Sequence, residues 1–125
     1  MSRFRLPAFD HYFAMWNERD PSLIRGHLDQ AVTEDFVFCD PLHHHVGRNA
    51  LEANVRETRS TYPHAVFAPS SGFDHHHDRC RYDWQFTLKG RVVIGGFDAV
   101  RIADSGLIDR IDGFFGPLPP MPTAV

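Results

Sequence analysis

From Cys80 to Leu88 the sequence reads "CRYDWQFTL", with apolar and polar residues alternating. A strict twofold alternation fits a half-buried β-strand and no helix. Cys80, Tyr82, Trp84, Phe86 and Leu88 fall on one face; Arg81, Asp83, Gln85 and Thr87 fall on the other. "KGR" (Lys89 to Arg91) reads as a turn into "VVIGGFDAVRI", and "DSG" (Asp104 to Gly106) as a turn into "LIDRIDGFF". A chain that ends this way must build an antiparallel sheet with one apolar face, and something must cover that face.

The cover lies before Pro63, where the period is helical. Phe9, Tyr12, Phe13 and Trp16 follow helical spacing, which predicts a first helix from about Pro7 to Arg19. "DPSLIRGHLDQAV" opens a second helix, with Asp20 as N-cap and Pro21 in the first turn. "DFVFCDP" reads as a short strand stopped by Pro41. "NALE" (Asn49 to Glu52) has the form of a capping box, and starts a third helix carrying Leu51, Val55, Thr58 and Tyr62. That helix ends before Pro63. Helices first and a strand meander afterwards is an α+β order, which predicts a curved antiparallel sheet wrapped around the N-terminal helices. With 125 residues, 42% of them hydrophobic and eleven of them Phe, the chain can bury one core. The expected organisation is a single domain over residues 1–116 and a Pro-rich tail over 117–125.

A net charge of −3 gives no reason to expect nucleic acid or an anionic membrane as partner. No apolar run is long enough to span a bilayer, and "MSRFRLPAFDHYF" lacks the apolar stretch of a secretory signal. Cys39 and Cys80 form no CxxC pattern and read as free thiols, so a cytoplasmic location is expected.

Against this background Asp98 is conspicuous. Val92, Ile94, Gly96, Val100 and Ile102 share its strand face, and it is the single charge among them. An ionised carboxylate in an apolar row is costly unless it is paired or takes up a proton, and such groups mark functional sites. Asp40 shares strand parity with Phe36 and Phe38, which points it the same way as two core aromatics, although an acid before Pro41 can equally be a turn former. The triplets His43–His45 and His75–His77 could chelate through alternate members. They accompany no HExxH or CxxC motif, so they read as solvated loop histidines and no metal is expected. A general acid–base role for one histidine beside Asp40 stays open.

"YFAMWNERD" (Tyr12 to Asp20), "VFCDP" (Val37 to Pro41) leading into "VGRNAL", and "GFDAVRIADSGLIDRIDGFFG" together carry a resemblance over nearly the whole chain. The sequence resembles the nuclear-transport-factor-2-like superfamily, in particular its SnoaL-like and ketosteroid-isomerase-like members. The resemblance implies a cone-shaped, cystatin-like α+β barrel opening on an apolar pocket, and a homodimer. Tyr12, Asp40 and Asp98 occupy the positions of the isomerase triad. By that likeness Asp40 is the general base, and Tyr12 and a neutral Asp98 are hydrogen-bond donors to an enolate oxygen; a carboxyl kept neutral at working pH is the known device of those isomerases. Trp16, Phe38, Trp84, Phe86, Val100, Ile111, Phe115 and His45 are expected to line the substrate pocket. The stretch Asp20–Asp40 is longer, the stretch Asp40–Gly47 is shorter, and "LHHHV" stands at the pocket mouth, so the substrate is left open. The implied activity is cofactor-free acid–base chemistry of the isomerase, lyase or cyclase type on a small apolar carbonyl-bearing or cyclic molecule. The alternative is a non-catalytic ligand-binding or accessory domain of the same fold. The outer strand face with Phe97 and Ala99 is the expected dimer surface.

Overall fold

The computed structural model describes residues 6–123. The first five residues of the expected domain, which begin the segment read for a secretory signal, and the last two of the expected tail lie outside them. Three helices, α1 (Pro7–Asn17), α2 (Pro21–Ala31) and α3 (Arg48–Thr61), are embraced by a curved, open sheet. Its strands are β1 (Val32–Asp40), β2 (His43–Val46), β3 (Val66–Pro69), β4 (Asp74–His76), β5 (Arg79–Leu88), β6 (Arg91–Ile102) and β7 (Ile108–Phe115). They run in the order β2-β1-β7-β6-β5-β3, with β4 also on β5. The pairings are antiparallel except that β1 lies parallel to β7. The architecture is the α+β arrangement expected from the order of elements.

Local chemistry explains most boundaries. Asp20 caps α2 by accepting from the Ser22 amide at 3.0 Å, with Pro21 at the first helical position. β5 turns into β6 through Lys89 and Gly90, both left-handed with φ of 53° and 76°, the two-residue turn whose twist suits a hairpin. The capping box was misplaced. α3 starts at Arg48, one residue before Asn49, and its N-cap is Gly47 at φ 90° with no side-chain cap. Asn49 and Glu52 both accept from Arg25 instead, tying α3 to α2, and Glu52 also takes Arg56.

Two of the strands absent from the sequence reading, β2 and β3, are built by long-range contacts. "HHHV" carries no alternation of its own, yet it pairs with Val37–Asp40 and becomes the sheet edge. β3 is held by Asn17, whose amide donates to the Phe67 carbonyl at 2.7 Å and accepts from the Phe67 amide at 2.8 Å. Buried Arg59 donates to the backbone carbonyls of Glu18, Pro63 and Ala65, fixing the reversal between α3 and β3. The core lies between helices and sheet: Met15, Ile24, Leu28, Leu51 and Val55 meet Val32, Phe36, Ile108 and Ile111, all fully buried. Among the described residues, no helix is long and apolar enough to cross a membrane.

Candidate functional site

Register across four strands assembles the acids. Tyr82 on β5 pairs with Asp98 on β6, Asp98 pairs with Gly113 on β7, and Cys39 pairs with Asp112, which sets Asp40 of β1 beside Gly113. The row therefore reads Tyr82, Asp98, Gly113, Asp40. Gly113 is what lets the two carboxyls approach. A β-carbon there would stand 3.0 Å from Asp98 Oδ1 and 3.3 Å from Asp40 Cβ.

Asp98 is 7% exposed, and the Tyr82 hydroxyl donates to its Oδ2 at 2.8 Å. Burial pushes its carboxyl up to about 7, against the opposing pull of Tyr82 and the Trp84 indole, with a small further rise from Asp40. Tyr82 is buried at the edges of Phe9 and Phe13 and stacks on Phe73, so its hydroxyl is clamped. Tyr12 on α1 is buried. Desolvation, then the proximity of Asp98 and, more weakly, Asp40, hold its phenol well above the usual tyrosine range. Asp40 Oδ1 accepts from the amides of Leu42 and His43, both at 2.8 Å, and lies 3.1 Å from His43 Nδ1. With Oδ1 so engaged, Oδ2 is the oxygen left for other partners.

Tyr12, Asp40 and Asp98 all line one cavity of about 420 Å³ between the sheet and the helices. Trp16, Phe38, Trp84, Phe86 and Phe115 form its walls with Phe13, Phe67 and Ile94, and no Lys or Arg is among its lining residues. Such a mixture of apolar wall and few convergent polar groups is the usual form of a small-molecule site. Gly96, in register with Trp84 and Phe115, leaves room for the indole.

Three expected wall residues stand elsewhere. Val100 and Ile111 pair with each other one row deeper, alongside Cys80 and Phe38, and are buried in the core. Face parity placed them on the correct side of the sheet, but depth along the cone is set by register. His45 is half-buried and stacks on Phe38 at 6.4 Å; the member of its triplet that reaches the cavity is His43. Burial first, and then His43, lowers the His45 pKa. The other triplet is exposed, and no group of three or more possible metal ligands occurs among the described residues. Tyr82, Gly113, His43 and Asn54 were missed. Tyr82 carried a signal, being on the same apolar face as Trp84; the others depend on pairing and helix position that no local pattern reports. Arg101, three residues after Asp98 on β6, is exposed and donates to Asp109. Burial and the nearby Asp74 raise the Cys80 thiol to about 11, the state of an inert core cysteine.

An open sheet around three helices, with an acid-bearing apolar cavity at their junction, defines the class: the chain has the nuclear-transport-factor-2-like fold. Within it the chain is similar to an isomerase candidate of the SnoaL-like family from Agrobacterium tumefaciens, at 29% identity and a TM-score of 0.81, over 89% of this chain and 96% of that one. A nuclear-transport-factor-2-like protein of unknown function from Exiguobacterium aligns at 17% identity and a TM-score of 0.71, over 89% and 99% of the two chains. A polyketide cyclase candidate from Sinorhizobium meliloti aligns at 17% and 0.67, over 86% and 93%. The last two likenesses concern the fold alone. No protein-family model matches the sequence, and no curated protein does.

Proposed function

We propose that the cavity binds a small apolar carbonyl-bearing or cyclic molecule and moves a proton on it, as an isomerase, lyase or cyclase would. The observation that supports this most is the convergence of Tyr12, Asp40 and Asp98 on one apolar cavity. In this reading Asp40 Oδ2 takes the proton from the carbon next to the substrate carbonyl and later returns it. The Tyr12 hydroxyl and the protonated Asp98 carboxyl donate to the oxygen as it becomes an enolate. Tyr82 acts through Asp98 as a positioning residue, holding Oδ2 so that the proton resides on the oxygen near Gly113. No cofactor enters this scheme.

The test is proton exchange. The protein is expected to catalyse deuterium incorporation from solvent next to the carbonyl of an apolar cyclic ketone. Asp40→Asn should lower the rate about 100-fold or more. Asp98→Ala should cost on the order of 100-fold, through loss of one donor to the oxyanion, and Asp98→Asn should retain most of the rate. Binding without exchange in the wild type would instead establish the non-catalytic alternative.

We further propose that the outer face of the sheet joins two copies of the chain. Phe97 and Phe114 stack there at 4.9 Å with planes 11° apart, and Phe114 is 51% exposed. An open groove of about 720 Å³, lined by Arg81, Asp83, Gln85, Phe97 and Leu118 among others, continues that face. Light scattering after size exclusion should report a dimer that persists in chelator, and Phe114→Asp should give monomers. A wild-type monomer, or dissociation by chelator, would refute this assembly.

A further inference from the structure

Asn54 is a polar residue on the apolar face of α3, between fully buried Leu51 and Val55. It is 7% exposed and lines the cavity. Its Oδ1 accepts from the Thr58 hydroxyl at 3.4 Å, while its Nδ2 is buried with no hydrogen-bond partner. Leaving an amide donor unsatisfied in a protein interior is destabilising, so an aliphatic side chain would serve the packing of α3 better. The side chain therefore needs an explanation outside folding.

A second donor in the same cavity is in the same condition. Trp84 Nε1, from β5, is also buried without a partner. The two come from different walls, because α3 packs on α1, α2, β1 and β2, whereas Trp84 belongs to the β5–β6 hairpin beside Asp98. Trp84 thus stands at the Asp98 end of the cavity, and Asn54 on its helical wall. Aromatic and aliphatic side chains supply most of the surface between them.

We infer that Asn54 recognises a second, uncharged acceptor oxygen on the ligand, such as a ring or side-chain carbonyl, distinct from the oxygen addressed by Tyr12 and Asp98. The acceptor is uncharged because the lining offers a ligand carboxylate no Lys or Arg, while the Asp40 carboxylate would repel it. The ligand class is then a neutral ring compound carrying two oxygen functions. The inference rests on the proposed reading that this cavity is the substrate site, and it adds a determinant of which substrates fit.

The test separates the two ideas. Naphthol serves as a phenolic ring ligand with one oxygen function, and a set of acetylnaphthols with the carbonyl at different ring positions adds a neutral acceptor. At least one acetylnaphthol should bind the wild type about tenfold more tightly than naphthol, the worth of one satisfied hydrogen bond. Asn54→Leu should abolish that advantage, leave naphthol binding as tight or tighter, and unfold at a higher denaturant concentration. If naphthol binds but no acetylnaphthol gains, or if Asn54→Leu preserves the gain, the inference fails and the cavity reading stands. If Asn54→Leu is folded and weakens naphthol and acetylnaphthol alike, Asn54 shapes the cavity and the inference also fails. If neither ligand binds the wild type, the cavity reading fails and takes the inference with it.

Discussion

Asp98→Asn is expected to be more stable than the wild type at pH 8, and the advantage is expected to vanish near pH 4. Burial raises the Asp98 pKa from its ordinary 3.8 to about 7. The sign follows from proton counting. Below pH 4 the carboxyl is protonated in folded and unfolded chains, and the site costs nothing. Between about pH 4 and 7 the unfolded chain loses its proton first, so rising pH favours unfolding. Above 7 both forms are ionised and the cost is constant, on the order of 4 kcal/mol for a pKa change of this size. An Asn at this position keeps an oxygen for the Tyr82 hydroxyl and has no charge to desolvate. Tyr12, Tyr82, Trp84 and Asp40, which face Asp98, are common to both proteins, as are all the surface groups. Their titrations largely cancel in the difference. Urea unfolding of both proteins at several pH values measures the gap. A gap independent of pH would show that the folded protein does not hold the proton, which would remove the proposed donor.

Gly96→Ala is expected to cost about 3 kcal/mol, the upper part of the range for overpacked sites. A β-carbon on Gly96 would stand 1.9 Å from the Phe114 carbonyl oxygen and 3.0 Å from the Trp84 ring. The oxygen belongs to the backbone of β7, so no side-chain rotation relieves the contact; the β6 and β7 strands must part. Their parting would shift Phe115, which meets Trp84 edge-on at 5.9 Å, and with it one wall of the cavity. Gly26→Ala is the control. It lies within α2 with nothing within 4 Å of an added β-carbon. Relieving the backbone entropy of a helical glycine there should stabilise by up to about 1 kcal/mol. Denaturant midpoints for the two variants should therefore move in opposite directions. Equal midpoints for Gly96→Ala and the wild type would show that β6 and β7 are less closely joined at this point.

Both expectations concern residues on one strand. Asp98 interrupts an apolar row, and that interruption alone says that a charge is buried; the close approach of the Phe114 carbonyl to Gly96 exists only once β6 pairs with β7. The sequence by itself determined the face of β5, the capped start of α2, and the side of the sheet on which Trp84, Phe86 and Asp98 lie. These are local matters, settled by a period of two and by the chemistry of one or two neighbours. Tertiary structure decided the rest. Val92, expected on the face of Asp98, is exposed because the pairing of β6 with β5 slips between Ile94 and Val92. Asp40 comes beside Asp98 because β1 pairs parallel with β7 from Val37 to Cys39, after a shift of register from Val32, with Gly113 between the two acids. Val100 and Ile111 fall below the cavity, and His43 reaches it in place of His45, for the same reason: a strand's face is set by parity, but its depth is set by its partner. Asn54 reads as an ordinary polar helix residue until α3 is laid on the core, where it lines the cavity and its amide nitrogen is buried without a partner. Pairing and packing join residues far apart in the chain, and no periodicity along the sequence encodes that distance.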